Sequence, residues 1–252
     1  AKAKNLGEIS ITAGKRNIGM LSANEASVIN ETTGKIELTG ENSIGMYASG
    51  NGNAVSGEKA IGSGIENKVT GDNSLAYGRA NEINGDKSSV LGADNKINGN
   101  KNLALGNENA VNGDKNTTLG NQNRVTGKEN STLGDKNTVK GENNTTSGKL
   151  NRVEGKDSYV AGRANANIGD NNVTDGIYNK VNGNDNLASG RSNEVNGSNN
   201  SVTGIINKAT GEANIVDGID NKVKGNYNIA DGRTNEVTGD YNTVDGRTNK
   251  VT

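Results

Sequence analysis

Carboxylates are the side chains of this sequence that could carry out chemistry. The chain of 252 residues holds 29 Asp and Glu residues but no His and no Cys. It therefore lacks the commonest general base and zinc ligand, and it has no thiolate nucleophile. Paired carboxylates can still act as acid and base, as in glycoside hydrolysis. Because Asp and Glu recur throughout the repeat described below, no pair stands out. We predict no catalytic residues, no metal site, no cofactor and no enzymatic activity.

The composition argues against several classes of protein. Hydrophobic residues make up only 29% of the chain, Phe and Trp are absent, and glycine numbers 37, so a large core of leucines and aromatics is not expected. A net charge of −1 disfavours nucleic acid as a partner. No run of eighteen apolar residues could span a membrane as a helix. The chain does not begin with Met and shows no signal peptide, so we expect it to be a processed or excised piece of a longer protein.

A repeat of seven residues runs through most of the chain. Every seventh residue from Gly50 to Gly246 is glycine, and from Gly64 onward three residues past each glycine stands Asn or Ser. Five residues past each glycine is usually Val, Ile, Ala or Thr, with Asn167 as the clear departure. Glycine and Asn at this density would destabilise a helix, and collagen requires glycine at every third residue. The pattern predicts a β-solenoid in which glycine supplies positive φ at the corners.

The true period is fourteen residues, because alternate halves of the repeat differ in charge. Four and six residues past alternate glycines, beginning with Leu75 and Tyr77, no Lys, Arg or Glu occurs, whereas the same places in the other halves, beginning with Lys68, are often charged. One coil is therefore two short strands and two corners. Since side chains alternate across a strand, residues three and five past glycine face inward and those four and six past it face outward. Inward Asn side chains are expected to form a hydrogen-bonded ladder.

The uncharged outward positions form a long apolar stripe. On a monomer it would be an exposed apolar patch, so we predict that other subunits cover it in a homo-oligomer. The alternative is that a monomer tolerates the stripe. The predicted subunit interface comprises Leu75, Tyr77, Leu91, Leu103, Leu105, Leu119 and Leu133.

Residues 1–49 differ from this repeat and are assigned as a separate N-terminal β-repeat or cap, with the solenoid in residues 50–252. Alternating apolar residues predict two strands there, at Ile9 and Ile11 and at Ile36 and Leu38.

Three segments carry a resemblance to a known family: "NSLAYG" at 73–78, "KSSVLG" at 87–92 and "KNLALG" at 101–106, each followed by a half like "ANEING". They resemble the fourteen-residue repeat of YadA-type heads, which belong to trimeric autotransporter adhesins of Gram-negative bacteria. The resemblance runs from Gly50 onward, and the Lys- and Asn-rich composition is similar to fusobacterial members. The chain departs from the family in having Asn in place of most Ser. It also loses the second outward aliphatic residue after residue 140.

This resemblance implies a fold, a place and a function. The fold would be an all-β parallel β-solenoid, a left-handed parallel β-roll with 14-residue coils, assembled as a homotrimer. A stalk and a C-terminal membrane barrel outside this sequence would anchor it in the outer membrane, at the bacterial cell surface. The implied function is adhesion in virulence, through binding to a host cell-surface glycoprotein, such as a carcinoembryonic-antigen-related adhesion molecule, or to an extracellular-matrix protein.

Corner residues are the candidates for recognition, because loops on a rigid scaffold carry binding. Several corners in the second half are apolar instead of polar. The predicted partner-binding residues are Leu150, Ile177, Tyr178, Arg191, Ile205, Ile206 and Ile219. The alternative is that this edge packs against a neighbouring subunit.

Two further functions stay open as alternatives. Outward Thr117, Thr145 and Thr243 suggest an ice- or mineral-binding solenoid, although they lie on the stripe expected to be covered and form no regular array. A carbohydrate-active solenoid enzyme is the other alternative, although the six Tyr residues are scattered. Four outward aspartates could hold a cation or water at an oligomer axis, but solvated carboxylates are the favoured interpretation. They are Asp175, Asp217, Asp231 and Asp245.

Overall fold

A computed structural model describes residues 60–252 and, before them, five strands numbered β1 to β5. These are Ala3–Asn5, Ile9–Ala13, Val28–Asn30, Ile36–Thr39 and Ala54–Ser56. Strand β1 pairs with β3 and β2 pairs with β4, each in a parallel two-stranded sheet. The two strands predicted near the N-terminus are thus confirmed as β2 and β4, with Ile9 opposite Ile36. The rest of the predicted cap lies outside the described residues.

The strands from β6 onward alternate between two sheets. The even-numbered strands are β6 (Ile61–Ile65), β8 (Leu75–Arg79), β10 (Ser89–Ala93), β12 (Leu103–Asn107), β14 (Thr117–Asn121), β16 (Ser131–Asp135), β18 (Thr145–Lys149), β20 (Tyr159–Arg163), β22 (Val173–Ile177), β24 (Leu187–Arg191), β26 (Ser201–Ile205), β28 (Ile215–Ile219), β30 (Ile229–Arg233) and β32 (Thr243–Arg247). The odd-numbered strands are β7 (Lys68–Thr70), β9 (Glu82–Asn84), β11 (Lys96–Asn98), β13 (Ala110–Asn112), β15 (Arg124–Lys128), β17 (Thr138–Glu142), β19 (Arg152–Lys156), β21 (Ala166–Ile168), β23 (Lys180–Asn182), β25 (Glu194–Ser198), β27 (Lys208–Glu212), β29 (Lys222–Lys224), β31 (Glu236–Thr238) and β33 (Lys250–Val251).

The chain divides into two compact units, Ala1–Thr126 and Gly127–Thr252, hereafter unit 1 and unit 2. From β5 onward the even strands of each unit form one parallel sheet, the even sheet, and the odd strands form another, the odd sheet. Paired residues are fourteen apart, as in Leu91 with Leu105 of unit 1 and Asp217 with Asp231 of unit 2. The predicted all-β parallel solenoid with 14-residue coils is confirmed, with about fourteen coils in total and no helix among the described residues. Its left hand and its trimeric assembly stay predictions.

The interior of each coil is a column of small side chains, as the alternation of side chains predicts. In unit 1, Ala76, Ile83 and Val90 are buried, and Val195 and Val202 are buried in unit 2. Their sequence neighbours four and six residues past glycine face the solvent. The interior is narrow, so Val, Ala and Ile fill it, and the fold needs no large aromatic core.

Inward asparagines form the predicted ladder, and they bond to the backbone as well as to each other. The Asn95 Oδ1 accepts from the backbone N–H (2.9 Å) and from Nδ2 (3.0 Å) of Asn109 in the next coil. The Asn95 Nδ2 donates to Oδ1 of Asn81 (2.9 Å) and to the carbonyl oxygen of Gly106 (2.7 Å). Each such side chain is fully buried but makes several hydrogen bonds, so its burial carries no desolvation penalty of the kind an unpaired amide would.

The corner glycines are required for two reasons, of which the sequence indicated only the first. Gly92 has a φ of 137°, which favours glycine over any residue with a Cβ. In addition, a Cβ on Gly92 would overlap the carbonyl oxygen of Gly106 in the next coil. That oxygen is the one to which Asn95 donates. Glycine and the Asn three residues later thus act together to bring successive coils close.

A few interior polar atoms have no partner among the described residues. They belong to Thr118, Thr132, Thr146, Asn167 and Thr174. Asn167 pairs in register with Val153 and Val181 in the neighbouring coils, so it lies in a column of valines and not in the ladder of asparagines. This explains why both its amide nitrogen and its oxygen lack hydrogen bonds.

Candidate functional site

The outer face of the even sheet in unit 1 presents two rows of uncharged side chains in a regular pattern. From β8 to β14 the outward positions four and six residues past glycine contain no Asp, Glu, Lys or Arg, whereas Arg79 is exposed at the corner end of β8. The residues at these outward positions are Leu75, Tyr77, Ser89, Leu91, Leu103, Leu105, Thr117 and Leu119. Leu91 is directly opposite Tyr77 and Leu105, so the outward side chains form two straight rows. Tyr77 is 56% exposed and Leu91 is 49% exposed.

The residues predicted to form a subunit interface all lie on outer faces of even sheets. Six of them lie in unit 1, and Leu133 lies in unit 2, where it is exposed. The structure therefore brings the predicted set together within unit 1, on one surface. Whether another copy of the chain covers them stays a prediction.

The odd sheet of unit 1 presents the opposite chemistry. Glu82 accepts a hydrogen bond from Lys96 (2.8 Å) and forms a weaker ion pair with Lys68 (3.6 Å). The hydrogen bond from Lys96 is the main cause that lowers the pKa of Glu82 below its ordinary value of 4.5, in spite of an opposing effect of partial burial. The sequence predicted that this outward face is charged. Such exposed pairs contribute little to stability, but they keep this face strongly hydrated.

In unit 2 the even sheet carries more hydroxyl groups and four aspartates. Thr145 and Ser147 lie on one strand, and Ser201 and Thr203 lie on another. Asp217, Asp231 and Asp245 are paired in register on successive strands, and Asp175 is also outward and exposed. The Thr203 hydroxyl donates to Asp217 (2.5 Å). Nowhere in the described part of the chain do three or more His, Cys, Asp or Glu side chains form a group that could hold a metal ion.

The odd sheet of unit 2 repeats the charged pattern of its counterpart. The hydrogen bond from Arg152 is the main cause that lowers the pKa of Glu154, with Lys140 adding to it. For Glu194 the hydrogen bond from Asn196 comes first, followed by that from Lys208, and both lower its pKa. The odd sheet is therefore charged in both units, whereas the even sheet of unit 2 differs from that of unit 1 in carrying aspartates.

The predicted partner-binding residues all lie on one edge of unit 2, where the chain leaves the even sheet. Ile177, Arg191 and Ile205 follow one another in register. Leu150, Tyr178 and Ile206 occupy the next residue of the corner, each with φ near +60°. The sequence placed these residues on one edge, but it gave no sign of the left-handed backbone.

The opposite edge of unit 2 carries a feature that sequence reasoning missed. The Tyr227 and Tyr241 rings stack with centroids 5.1 Å apart and an interplanar angle of 2°. Their spacing of fourteen residues, which places two side chains on successive coils, was the available signal.

No described helix has the length and apolar character needed to cross a membrane.

Comparison with known families corrects the interpretation drawn from the repeat. A family model described as the grass antifreeze beta roll matches residues 38–141, 99–190, 119–217 and 169–252, which together span residues 38–252. No curated protein matches the chain. The predicted YadA-type head of a trimeric autotransporter adhesin is therefore wrong, and so is the predicted main function in host adhesion and virulence.

The physical reason for this error is that the shared features belong to the coil itself. Corner glycines such as Gly92, small inward residues and a period of fourteen are what a narrow coil of two strands requires, so they do not separate one such family from another. The host ligand and the outer-membrane location were implied by the same resemblance and stay untested predictions. On the span of the match, the chain belongs to the grass antifreeze beta-roll family.

Proposed function

We propose that this protein binds ice through the outer face of the even sheet of unit 1 and performs no catalysis. The observation that carries the proposal is the uncharged face of unit 1, two straight rows of side chains without an Asp, Glu, Lys or Arg. Membership of an antifreeze beta-roll family supports it. The function corresponds to the ice-binding alternative of the sequence analysis.

A parallel sheet in perfect register suits a crystalline ligand. Neighbouring strands lie about 4.7–4.9 Å apart, so equivalent side chains repeat at a fixed interval, as do the oxygen atoms of an ice surface. Sheets of many strands normally twist, and ladders of side chains are among the features that keep them flat. The buried ladder through Asn81, Asn95 and Asn109 is such a feature, and it also bonds to the carbonyl oxygens of Gly92 and Gly106 in the even strands.

The chemistry of the face also suits ordered water. Apolar side chains such as Leu91 and Leu105 restrict the orientation of the water next to them. The Ser89 and Thr117 hydroxyls can both donate and accept hydrogen bonds. An ammonium group, in contrast, holds a compact hydration shell of its own, which an ice lattice cannot accommodate. The charged odd sheet of unit 1 is therefore not the ice-binding face.

The homotrimer is a competing proposal for the same surface. Exposed Leu75, Tyr77 and Leu91 support burial against other subunits as well as contact with ice. The two proposals exclude one another for this face, because a covered face cannot meet a crystal. The oligomeric state in solution therefore distinguishes them.

The direct test is thermal hysteresis of the 252-residue chain, with one substitution on each sheet. Thr117→Lys places an ammonium group on the even sheet, and we expect it to abolish most of the activity. Ala110→Lys places the same group at a half-buried outward position of the odd sheet and serves as the matched control, with activity unchanged. Equal losses in both variants, or no thermal hysteresis in the parent protein, would refute the proposal.

Sedimentation velocity at micromolar concentration completes the test. A monomer that shows thermal hysteresis supports the open ice-binding face. A trimer that dissociates when Leu105 is replaced by Lys, together with an absence of thermal hysteresis, assigns the face to subunit contacts.

A further inference from the structure

One edge of unit 2 combines cations without ion pairs and exposed apolar side chains. The cations are Lys149, Arg163, Arg191, Arg233 and Arg247, all exposed. The apolar side chains are Leu150, Ile177, Tyr178, Ile205, Ile206 and Ile219, each between 41% and 55% exposed. We call this surface the cationic edge. It shares no residue with the proposed ice-binding surface of unit 1.

The register of the even sheet aligns these residues in a straight column. Arg163 is opposite Ile177, Ile177 is opposite Arg191, and Arg191 is opposite Ile205. Farther along, Ile219 is opposite Arg233, which is opposite Arg247. Equivalent positions therefore repeat at about 4.8 Å, and the cations and isoleucines lie in one straight column.

Three of the apolar side chains belong to residues whose backbone conformation is energetically unfavourable. Ile206 has a φ of 60°, a conformation in which a β-branched residue is a true outlier. Asn or Asp would adopt it more easily, and the corresponding corner of unit 1 has Asp94, with a φ of 58°. Ile206 nevertheless remains 55% exposed, so burial within its own chain does not compensate. Leu150 and Tyr178 occupy equivalent positions.

The charges on this edge are also left without partners. In unit 1 the corresponding edge has Arg79 paired with Asp94 at 3.1 Å. Within the described residues of unit 2, none of the five cations of the cationic edge forms an ion pair, and Asp220 is the one carboxylate in the adjacent column of left-handed residues. A row of unpaired cations with apolar side chains between them fits a ligand that is anionic outside and apolar beneath.

We propose that the cationic edge docks on the surface of an anionic lipid bilayer. Lys and Arg near such a surface are attracted to its anionic headgroups. Apolar side chains beside them can enter the boundary between headgroups and acyl chains, as in interfacial amphipathic segments. The straight edge lets several coils of unit 2 make these contacts together.

The test is co-sedimentation of the full chain with vesicles of phosphatidylcholine, alone or mixed with phosphatidylglycerol. We expect binding to the anionic vesicles only, weakening with added salt. Removing charge in Arg163→Gln and Arg191→Gln is expected to weaken binding about fivefold for each residue. Ile206→Asn is the decisive variant, because it should weaken vesicle binding while leaving the unfolding midpoint unchanged or higher. Ser192→Asn, at an equivalent left-handed position on the same edge, is the control and should bind as the parent does.

Four results would overturn the proposal. One is the absence of binding to anionic vesicles, and another is equal binding to neutral vesicles. Binding to dextran sulfate but not to vesicles would assign the edge to an anionic polymer. A dimer that Ile206→Asn dissociates, with no vesicle binding, would assign it to a second copy of the chain. Thermal hysteresis measured on the same variants should be unchanged, so failure of this proposal and failure of the ice-binding proposal are distinguishable.

Discussion

The buried asparagine ladder makes a quantitative prediction at Asn186 in unit 2. Its Nδ2 donates to Oδ1 of Asn172 (3.2 Å) and to the carbonyl oxygen of Gly197 (2.8 Å), and its Oδ1 accepts from the N–H (3.0 Å) and Nδ2 (3.1 Å) of Asn200. Asn186→Ala removes all four hydrogen bonds. At about 1 kcal/mol net for each bond, the free energy of unfolding should fall by about 4 kcal/mol.

A serine at the same position should cost about half as much. The chain already has Ser88 at an equivalent place in unit 1, where its Oγ donates to the carbonyl oxygen of Gly99 (3.0 Å) and accepts from the N–H of Asn102 (3.2 Å). Asn186→Ser should therefore keep two of the four bonds and lower the free energy of unfolding by about 2 kcal/mol.

The assay is urea unfolding followed by far-ultraviolet circular dichroism, with amide hydrogen exchange at Asn200. The Asn200 amide should exchange faster in Asn186→Ala and less so in Asn186→Ser, because only serine still offers an acceptor. Asn182→Ala, at an exposed outward position, is the control and should change the free energy of unfolding by less than about 0.5 kcal/mol. Equal destabilisation by Ala and Ser, or an unchanged Asn200 amide, would refute the reasoning.

Three further predictions follow from the corners, the core and the charged face. Gly218 and Gly246 have nearly the same φ (109° and 110°), but only at Gly218 would a Cβ overlap the backbone of the next coil. Gly218→Ala should therefore lower the urea midpoint much more than Gly246→Ala. Asn167→Val should raise the free energy of unfolding by about 1–3 kcal/mol, since it replaces buried unpaired polar atoms; a loss of stability would contradict this. Because hydrogen bonds lower the folded-state pKa of Glu194 below 4.5, its contribution to stability is present above that pH and disappears as the pH falls through the lowered pKa. The midpoint measured at about pH 3 should therefore depend less on the Glu194→Gln substitution than the midpoint at about pH 7, and the reverse order would count against the assignment.

The sequence was sufficient for the geometry of the coil because the period fixes it. The contrast between Lys68 and Leu75 in outward positions revealed that a coil is fourteen residues long, and alternation placed Asn81 and Ile83 inside; the structure agrees on each point. Two features could not be read from one sequence. The approach of the Gly106 carbonyl to Gly92 depends on how coils stack, and the left-handed backbone of Ile206 occurs at a residue type that normally avoids it.

The features behind the YadA-type resemblance are common to narrow coils of two strands, so they could not identify the family. Asn replaces most of the Ser of that repeat, and Asn95 makes more hydrogen bonds than Ser88 does at the inward position of the other half of the coil. The outward Thr117 lies on the stripe that was predicted to be covered, so the ice-binding alternative was disfavoured. The exposure of that face was therefore interpreted as a need for subunits instead of as a binding surface.

The asparagine ladder also gives each unit a net dipole along the column of side chains. In unit 2 the Nδ2 groups of Asn200, Asn214 and Asn228 all donate to the Oδ1 of the residue fourteen positions earlier. The side-chain amide dipoles in a column are thus parallel and add head to tail, as peptide dipoles do in a helix. Each bond in such a chain polarises the next, so one substitution should weaken bonds in coils beyond its own neighbours. The sum is a partial positive charge toward the N-terminal coils of the column and a partial negative charge toward the C-terminal coils.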